Sequence, residues 1–318
     1  MEIKQPRSSE RRTGRLPARP ISHSSKPPEG TDPDVGRRDQ APVTVPEIVA
    51  SKGRRKLVMV TATDEPSARW VDRAGVDMIL VGDSLGMAAL GRPDTLTVTM
   101  DEMVHHTRAA AAGCRRALLI ADMPFGSYQV SVGEAVRNAV RLMAEGGARA
   151  VKLEGPRADE VSAIAAAGIP VVGHVGLTPQ SVHRLGGYRV QGKDAAAARA
   201  LVRHAQELEA AGAFLVVIEG VPAAVGAAIT RAVSVPTVGI GAGLDCDGQV
   251  LVFADLLGLS DDPAPRFVRR YAALGDAIRT SVEAFAADVR NGRYPAETES
   301  YPSSPELAGR LRPGVREA

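Results

Sequence analysis

Cysteine and aromatic residues are scarce in this 318-residue sequence, and both shortages narrow its possible functions. The only two cysteines, Cys114 and Cys246, exclude a disulfide scaffold and a cysteine-rich zinc or iron–sulfur site. Aromatic residues make up 3% of the chain, which argues against base-stacking platforms and aromatic carbohydrate sites. So few cysteines fit a reducing compartment, and the sequence therefore predicts a cytoplasmic protein.

A large net charge and long hydrophobic runs are missing as well. The formal net charge is only +2, so there is no global electrostatic case for binding nucleic acid or a membrane surface. No apolar run approaches the roughly 20 residues that a membrane span needs. The chain is 44% hydrophobic and 24% charged, which is typical of a globular protein with a substantial core. We therefore expect neither nucleic acid nor a membrane among its partners.

Both ends of the chain differ in composition from its middle. Residues 1–41 contain nine Lys or Arg, six Asp or Glu and six prolines, without an apolar period. Such a segment cannot bury enough surface to order itself, so we predict a disordered arm over residues 1–44. Interspersed acids such as Asp32 and Asp34 argue against nucleic-acid binding by this arm and against a transit peptide. The proline- and glutamate-rich residues 296–318 are predicted to form an irregular tail.

Between the two tails, short apolar runs alternate with helix-length segments. Continuous apolar runs are typical of strands that are covered on both faces, as in a parallel sheet. Helical patterns lie at 101–113, 133–147 and 194–212, and several end in glycine. The eight apolar runs are 56–62, 77–83, 117–123, 150–155, 169–176, 213–220, 235–243 and 249–258.

Eight such units predict a (β/α)8 TIM barrel over residues 45–295. A doubly wound open sheet is the alternative, but no GxGxxG turn follows the first apolar run, and the count of eight favours the barrel. The apolar segment 45–50 is predicted to form a short helix that closes the bottom of the barrel. A long helical pattern at 265–292 follows the eighth run.

Polar residues stand at the ends of five consecutive apolar runs. A strand of a parallel barrel should be apolar inside, and barrel enzymes place their chemistry at the carboxyl ends of the strands. Each polar residue could alternatively be a cap or loop residue of the following helix, but five at the same end favour a site. These residues are Asp83, Asp122, Glu154, His174 and Glu219.

Three of the acids come from adjacent strands and predict a metal site. The carboxylates of Asp83, Asp122 and Glu154 would repel one another strongly unless a cation compensated their charge. Oxygen ligands without a thiolate favour a hard cation, and magnesium over zinc. Glu219 lies two strands further round among apolar neighbours, so it is a candidate general base; a purely structural carboxylate is the alternative.

Lys152 and His174 are candidate substrate-binding residues. Lys152 lies two positions before Glu154, so both side chains share one face of the strand. Lys152 could hold a substrate carboxylate or form a Schiff base, and the first is favoured because no apolar crowding surrounds it. His174 could hydrogen-bond an oxyanion or a carboxylate, and a structural histidine is an equal alternative.

Eight strings of the sequence match the motifs of one known family. They are VGDSLG (81–86), TLTVTMDEMVHHT (95–107), LIADMPFGSY (119–128), AVKLEG (150–155), GHVGLTPQSV (173–182), LGGYRVQGK (185–193), IEGVP (218–222) and GIGAG-x-x-x-DGQ (239–249). Through them the sequence resembles ketopantoate hydroxymethyltransferase from about residue 45 to residue 295. The resemblance implies a (β/α)8 barrel that transfers a hydroxymethyl group from 5,10-methylenetetrahydrofolate to 3-methyl-2-oxobutanoate, giving 2-dehydropantoate for pantothenate and coenzyme A synthesis. It also implies a homodecamer.

The resemblance also implies roles for single residues. It implies Mg²⁺ ligands at Asp83, Asp122 and Glu154, and a proton acceptor at Glu219 in the ExVP motif. The implied substrate-binding residues are Asp83, Ser84, Asp122, Lys152 and His174.

Two positions depart from the family pattern. Thr63 stands where the family commonly has an aromatic residue, and Gly220 stands where it often has cysteine, so we expect a locally different pocket.

Two other functions remain as alternatives. One is another magnesium-dependent α-keto acid lyase or mutase on the same barrel, although neither cysteine supplies the motif that marks those enzymes. The other is an inactive barrel kept as a binding protein, but such a barrel is expected to lose a ligand acid or Glu219.

Overall fold

A closed barrel of eight parallel strands forms the centre of the molecule, in chain order, with the last strand paired to the first. The structure, a computed structural model, describes residues 41–260 and 264–311, so the predicted arm lies outside the described residues except for its last four. The barrel confirms the predicted fold. The strands are β1 (Leu57–Thr61), β2 (Met78–Val81), β3 (Leu118–Asp122), β4 (Ala150–Glu154), β5 (Val171–Gly176), β6 (Ala213–Glu219), β7 (Thr237–Ile240) and β8 (Gly248–Leu251).

Helices follow every strand except β7, whose connection to β8 spans only residues 241–247, and they cover most of the outside of the barrel. The helical patterns predicted at 101–113, 133–147 and 194–212 each correspond to a helix, with ends shifted by up to three residues. In the described part of the chain the helices are α1 (Val45–Ala50), α2 (Glu65–Arg73), α3 (Leu85–Ala88), α4 (Met100–Gly113), α5 (Val132–Ala144), α6 (Ala158–Ala166), α7 (Val182–Leu185), α8 (Ala195–Ala210), α9 (Ala223–Ala232), α10 (Phe253–Leu257), α11 (Leu274–Arg290) and α12 (Pro305–Arg310).

Strand residues alternate between two apolar layers. Met78 and Leu80 point into the barrel, where they join one buried cluster, whereas Ile79 between them joins the larger cluster under the helices. Ile48 of α1 is fully buried in the inner cluster. The segment leading into α1 is tied to the start of β3 because Val43 N–H donates to the Arg116 carbonyl. Helix α1 therefore closes the amino-terminal end of the barrel, as predicted.

The last two predicted elements differ from the structure. The apolar run 249–258 is a strand only up to Leu251; its second half is helix α10, because Phe253, Leu256 and Leu257 have helical spacing and the first two pack on the core. The helix predicted over 265–292 begins only at Leu274. Gly258, with φ +65°, ends α10 in the left-handed conformation that favours glycine.

The carboxyl-terminal residues contain more regular structure than an irregular tail. A 3-10 turn spans Glu297–Glu299, and α12 begins where the Ser304 side chain accepts from Leu307 N–H, with Pro305 in the first turn. Residues 312–318 lie outside the described part of the chain. Across the described ranges, no helix combines the length and apolarity that crossing a bilayer requires.

Candidate active site at the carboxyl ends of the strands

The parallel register of the barrel brings the predicted site residues to one rim. Asp122 is paired with Lys152 across β3 and β4, and Glu154 is paired with His174 across β4 and β5. Glu219 ends β6 opposite Gly176 of β5. Asp83 follows β2 by two residues, at the same end of the barrel. A buried polar cluster thus spans five neighbouring strand ends.

Asp83, Asp122 and Lys152 form the first part of this cluster. Lys152 Nζ donates to Asp122 Oδ1 at 2.7 Å, and both side chains are almost completely buried. The backbone N–H of Asp83 donates to Asp122 Oδ2 at 3.1 Å. Asp122 therefore accepts a hydrogen bond from the lysine with one carboxylate oxygen and a hydrogen bond from the loop that carries Asp83 with the other.

The loop after β2 approaches Asp122 closely because residue 82 is glycine. A Cβ atom at Gly82 would lie 3.0 Å from Ser84 Oγ and 3.4 Å from Asp122 Oδ2. Ser84 begins the short helix α3 and is partly exposed at the mouth. Its hydroxyl thus lies at the rim beside the aspartates, where the resemblance to the family predicts a substrate-binding serine.

Charge in this part of the cluster is unbalanced. Burial alone would lower the pKa of Lys152, but the carboxylates of Asp122, Glu154 and Asp83 outweigh it and raise that pKa, so Lys152 carries a proton. Burial, together with the neighbouring charges of Asp122 and Glu154, raises the pKa of Asp83 well above its usual value. One lysine therefore does not neutralise the acids around it.

His174 lies between the two remaining acids. Its Nδ1 is 3.5 Å from Glu154 Oε1, and its Nε2 is 3.4 Å from Glu219 Oε2. Both ring nitrogens are buried without a hydrogen-bond partner of good geometry. Burial and the charge of Lys152 lower the pKa of His174 well below its usual value, so the ring is neutral.

The two glutamates beside His174 are weak acids. Burial raises the pKa of Glu154 to about 7, although Lys152 opposes the shift. Burial and the charge of Glu154 raise the pKa of Glu219 to about 8, and its side chain is still 19% exposed at the mouth. A partly exposed carboxylate with a raised pKa has the properties of a general base.

The structure adds two buried side chains that were not predicted from the sequence, Gln180 and Tyr128. Gln180 Nε2 donates to Asp83 Oδ2 at 2.9 Å, and its backbone N–H donates to Glu154 Oε2 at 3.0 Å. The Tyr128 hydroxyl donates to Gln180 Oε1 at 2.6 Å. Both residues stand in strings that carry the family resemblance, GHVGLTPQSV and LIADMPFGSY, and this was the signal that could have identified them.

The three predicted metal ligands are close together but do not form a complete ligand set. Within residues 41–260 and 264–311, no group of three or more His, Cys, Asp or Glu side chains is arranged to hold a metal ion. Both oxygens of Glu154 are directed toward other residues, Oε2 to the Gln180 backbone and Oε1 to the His174 ring. The assignment of Asp83, Asp122 and Glu154 as metal ligands therefore stays a prediction.

Gly220 has a conformational reason to be glycine. Its φ is +56°, a left-handed value that side chains other than glycine rarely adopt, and a Cβ there would lie 2.9 Å from Leu177 Cβ. At Thr63, the other departure from the family pattern, the carbonyl oxygen lies 2.8 Å from His106 Nδ1. Both positions are accommodated locally, and neither removes a polar group from the mouth.

Solved structures with a similar fold include enzymes that act on small acids. A phosphonopyruvate hydrolase in complex with oxalate and Mg²⁺ has a TM-score of 0.53 and 18% sequence identity, covering 83% of this chain and 93% of that chain. A 2,3-dimethylmalate lyase of the PEP mutase/isocitrate lyase superfamily has a TM-score of 0.52 and 15% identity, covering 84% and 93%. At these identities the likeness shows the fold alone.

Sequence comparison identifies the family. The family model for ketopantoate hydroxymethyltransferase matches residues 42–297. A 3-methyl-2-oxobutanoate hydroxymethyltransferase from Syntrophobacter fumaroxidans (strain DSM 10017 / MPOB) is 55% identical over 261 residues, covering 81% of this chain and 93% of that protein. The enzyme of the same name from Carboxydothermus hydrogenoformans (strain ATCC BAA-161 / DSM 6008 / Z-2901) is 49% identical over 259 residues, covering 81% and 94%. The chain belongs to the ketopantoate hydroxymethyltransferase family and is a hydroxymethyltransferase.

Proposed function

We propose that this chain transfers a hydroxymethyl group from 5,10-methylenetetrahydrofolate to 3-methyl-2-oxobutanoate, giving 2-dehydropantoate in pantothenate synthesis, with Mg²⁺ as cofactor. The observation that carries the proposal is that one rim of the barrel holds both a group of charged side chains and a weakly acidic glutamate. Asp83, Asp122 and the protonated Lys152 form an anion- and cation-binding corner, and Glu219, with a pKa of about 8, lies across His174 from Glu154. A keto acid that must lose a C3 proton needs both regions.

The residues at the rim fit a hard divalent cation. Asp83, Asp122 and Glu154 would hold it, because they are buried oxygen donors whose negative charge one lysine does not balance. Among the hydrogen bonds of the described residues, none engages Asp83 Oδ1. When bound, Mg²⁺ would supply a Lewis acid that polarises the keto group of the substrate.

Lys152 binds substrate charge in this proposal and does not form a Schiff base. Its pKa is raised by the surrounding carboxylates, so it stays an ammonium group, which has no free electron pair for attack on a carbonyl. The ammonium lies 2.7 Å from Asp122 and is positioned to attract the carboxylate of a keto acid. Ser84 at the rim offers a neutral hydroxyl beside it.

Glu219 removes the C3 proton of 3-methyl-2-oxobutanoate. Its raised pKa makes its carboxylate more basic than an ordinary glutamate, and its partial exposure leaves it open to substrate. The His174 ring, whose Nε2 lies 3.4 Å from Glu219 Oε2, is neutral and therefore places no positive charge beside the base. The electron pair left on C3 then forms the new bond to the methylene carbon of the folate, and water supplies the hydroxyl oxygen to that carbon. Both C–N bonds of the methylene group break over the reaction, and tetrahydrofolate leaves with its two nitrogens protonated, one by the proton taken from C3 and one by a proton of the water.

Substitution of the proposed base is the direct test. Glu219→Gln should reduce deuterium exchange at C3 of 3-methyl-2-oxobutanoate by about 10²-fold or more, since general bases contribute rate factors of that size. Calorimetry should show Mg²⁺ and keto-acid binding nearly unchanged, because Glu219 is no predicted ligand. Glu207→Gln, on the exposed face of α8, is the matched control and should exchange at the wild-type rate. Wild-type exchange in Glu219→Gln would remove Glu219 as the base.

We further propose that the chain forms a homo-oligomer in the cytoplasm, with the homodecamer of the family as the expected state. Helix α11 supports an oligomer because none of its residues is buried. Five large apolar side chains are 37–58% exposed at helical spacing on this one helix: Leu274, Ile278, Val282, Phe285 and Val289. Such an uncovered stripe marks a contact with another protein surface.

The barrel presents a matching groove over β1 and β8. Its volume is about 510 Å³, and its lining includes Val58, Trp70 and Leu251. Val58 is 48% exposed, although strands of a parallel barrel are normally covered on their outer face. No side chain of α11 lines this groove, although Gly275 N–H donates to the Gly258 carbonyl and ties the start of α11 to the end of α10. A second copy of the chain is therefore the occupant that we propose for the groove.

Charged residues on the α11 stripe should reduce the mass of the assembly. The double variant Ile278→Glu/Phe285→Glu would place two carboxylates in an apolar contact, and we expect a smaller species by sedimentation velocity. Thr280→Glu, on the same helix but outside the stripe, is the control and should sediment as wild type. Unchanged mass of the double variant would contradict a role of α11 in assembly.

A further inference from the structure

Gln180 connects the ends of several strands at the mouth through its own polar atoms. It lies in the 3-10 turn Pro179–Ser181 that follows β5, and its side chain is buried. Its Nε2 donates to Asp83 Oδ2 and to the Met123 carbonyl, both at 2.9 Å. Its Oε1 accepts from the Tyr128 hydroxyl at 2.6 Å. One amide thus bridges the residues that follow β2 and β3.

The side-chain amide of Gln180 can take only one orientation here. The Met123 carbonyl can only accept, so it must face the NH₂ end of the amide. The Tyr128 hydroxyl accepts from Glu154 N–H at 3.1 Å, which leaves its own proton for Gln180 Oε1. Gln129 Nε2 donates to the same oxygen at 3.1 Å. All four hydrogen-bonding positions of the amide are therefore filled, and the amide cannot turn without leaving a buried polar group unpaired.

Glu154 is held by the same residue in a different way. The backbone N–H of Gln180, and not its side chain, donates to Glu154 Oε2 at 3.0 Å. This contact remains when the side chain is changed. A substitution at position 180 therefore removes the support of Asp83 and leaves that of Glu154 in place.

We propose that Gln180 is a positioning residue that holds the Asp83 carboxylate in the orientation in which it meets a divalent cation, an inference that rests on the proposed metal role of Asp83. The hydrogen bond from Nε2 occupies Oδ2 and leaves Oδ1 without a hydrogen-bond partner among the described residues. Gln180 acts on the metal through Asp83 and need not touch it.

A double-mutant cycle with Mn²⁺ as the probe tests this role in the full-length protein. Methionine at position 180 keeps the length of the side chain and removes the donor. Gln180→Met should weaken Mn²⁺ binding, measured by electron paramagnetic resonance, by about 10- to 100-fold, the usual cost of losing a group that orients a metal ligand. Asp83→Asn should lose most of the affinity, and Gln180→Met should add little to that loss because both act through one carboxylate.

The outcomes separate the inference from the proposed function. Wild-type Mn²⁺ affinity in Gln180→Met, together with loss of affinity in Asp83→Asn, would overturn the inference and leave the metal site in place. Wild-type affinity in Asp83→Asn would instead overturn the metal role of Asp83. The crystal structure of Gln180→Met then decides the positioning role: an Asp83 side chain in an unchanged rotamer would contradict it, and a turned carboxylate would support it.

Two further variants distinguish a loss of positioning from a loss of folding. Tyr128→Phe keeps the buried ring and removes the hydroxyl that donates to Gln180, so it should weaken Mn²⁺ binding in the same direction but less, by about threefold to tenfold. Gln206→Met makes the same substitution on an exposed position of α8 and should bind Mn²⁺ as wild type. An unchanged affinity in Tyr128→Phe, with both variants folded by circular dichroism, would count against the inference.

Discussion

At the scale of the residue, burial decides what each carboxyl group in the mouth can do. Asp122 is paired with an ammonium group at 2.7 Å, whereas Glu219 faces a neutral imidazole ring at 3.4 Å. Burial and nearby negative charge raise the pKa of Glu219 to about 8. The carboxyl groups of β3 and β6 therefore differ in environment in a way that suits the roles proposed for them, since a base needs a proton affinity near the working pH and a metal ligand needs negative charge.

The pH dependence of C3 proton exchange should report the state of Glu219. The base must be deprotonated, so exchange should fall as pH is lowered through the pKa of Glu219, which is about 8 in the protein alone. A bound cation favours the carboxylate, so the midpoint should lie below 8 at saturating Mg²⁺ and rise toward 8 as Mg²⁺ is withdrawn. Rates measured from pH 5.5 to 9 at two Mg²⁺ concentrations check this. A midpoint that does not move with Mg²⁺ would separate Glu219 from the cation site.

At the scale of the element, a close contact between strand ends sets the position of Glu219, the proposed base. Gly176 ends β5 with φ +102°, and a Cβ there would lie 2.2 Å from the carbonyl oxygen of Glu219. The next residue, Leu177, donates its N–H to the same carbonyl at 2.8 Å. The turn after β5 thus packs directly on the end of β6, and glycine allows this approach.

Alanine at this contact should disturb both stability and catalysis. Gly168→Ala is the control, because Gly168 has a similar φ of +83° but no atom within 4 Å of the added carbon. The control should lose about 1–2 kcal/mol of unfolding free energy from backbone strain alone. Gly176→Ala should lose more and should also lower kcat by about 10- to 100-fold, since it displaces the base. Denaturant titration measures the unfolding free energy, and steady-state kinetics measure kcat. Equal losses of both quantities in the two variants would contradict a role of the close contact at Gly176.

At the scale of the whole molecule, the barrel concentrates negative charge at one end. Four acids meet there because parallel strands in a closed sheet end at the same rim, and Lys152 is the cation that the structure pairs with one of them. Raised pKa values of Asp83, Glu154 and Glu219 show that the folded chain disfavours their charged forms. Gathering these acids at one rim therefore costs the folded protein some stability.

The contribution of Glu219 to the stability of the metal-free protein should fall as pH rises. The pKa of Glu219 is 4.5 as a free group and about 8 in the folded chain, so its contribution is complete below pH 4.5 and is lost by about pH 8. In EDTA, the Tm of Glu219→Gln minus the Tm of wild type should therefore increase by several degrees as pH is raised from 5 to 8.5. Scanning calorimetry measures both proteins, and saturating Mg²⁺ should narrow the gap. A constant difference across this pH range would contradict the raised pKa.

Much of the fold and the membership of the candidate site followed from local patterns. Apolar runs with polar residues at their ends are readable without coordinates, and the barrel places Asp122, Glu154 and Glu219 at the last position of their strands. Gln180 and Tyr128 could not be found this way. Each is an ordinary polar residue in a loop or turn, and its importance arises from partners up to 97 positions away along the chain. The end of β8 was also misplaced, because its apolar run continues into helix α10.

The order of residues alone determined that eight strands form a barrel with helices between most of them, that acids stand where several of those strands end, and that the chain belongs to its family. These are properties of short segments, in which hydrophobic period and capping residues act over a few positions. Only the tertiary structure decided how the acids share their partners: Lys152 with Asp122, the amide of Gln180 with Asp83, and His174 between two glutamates. Hydrogen bonds and pKa values depend on distances and burial, which exist only once the barrel has closed.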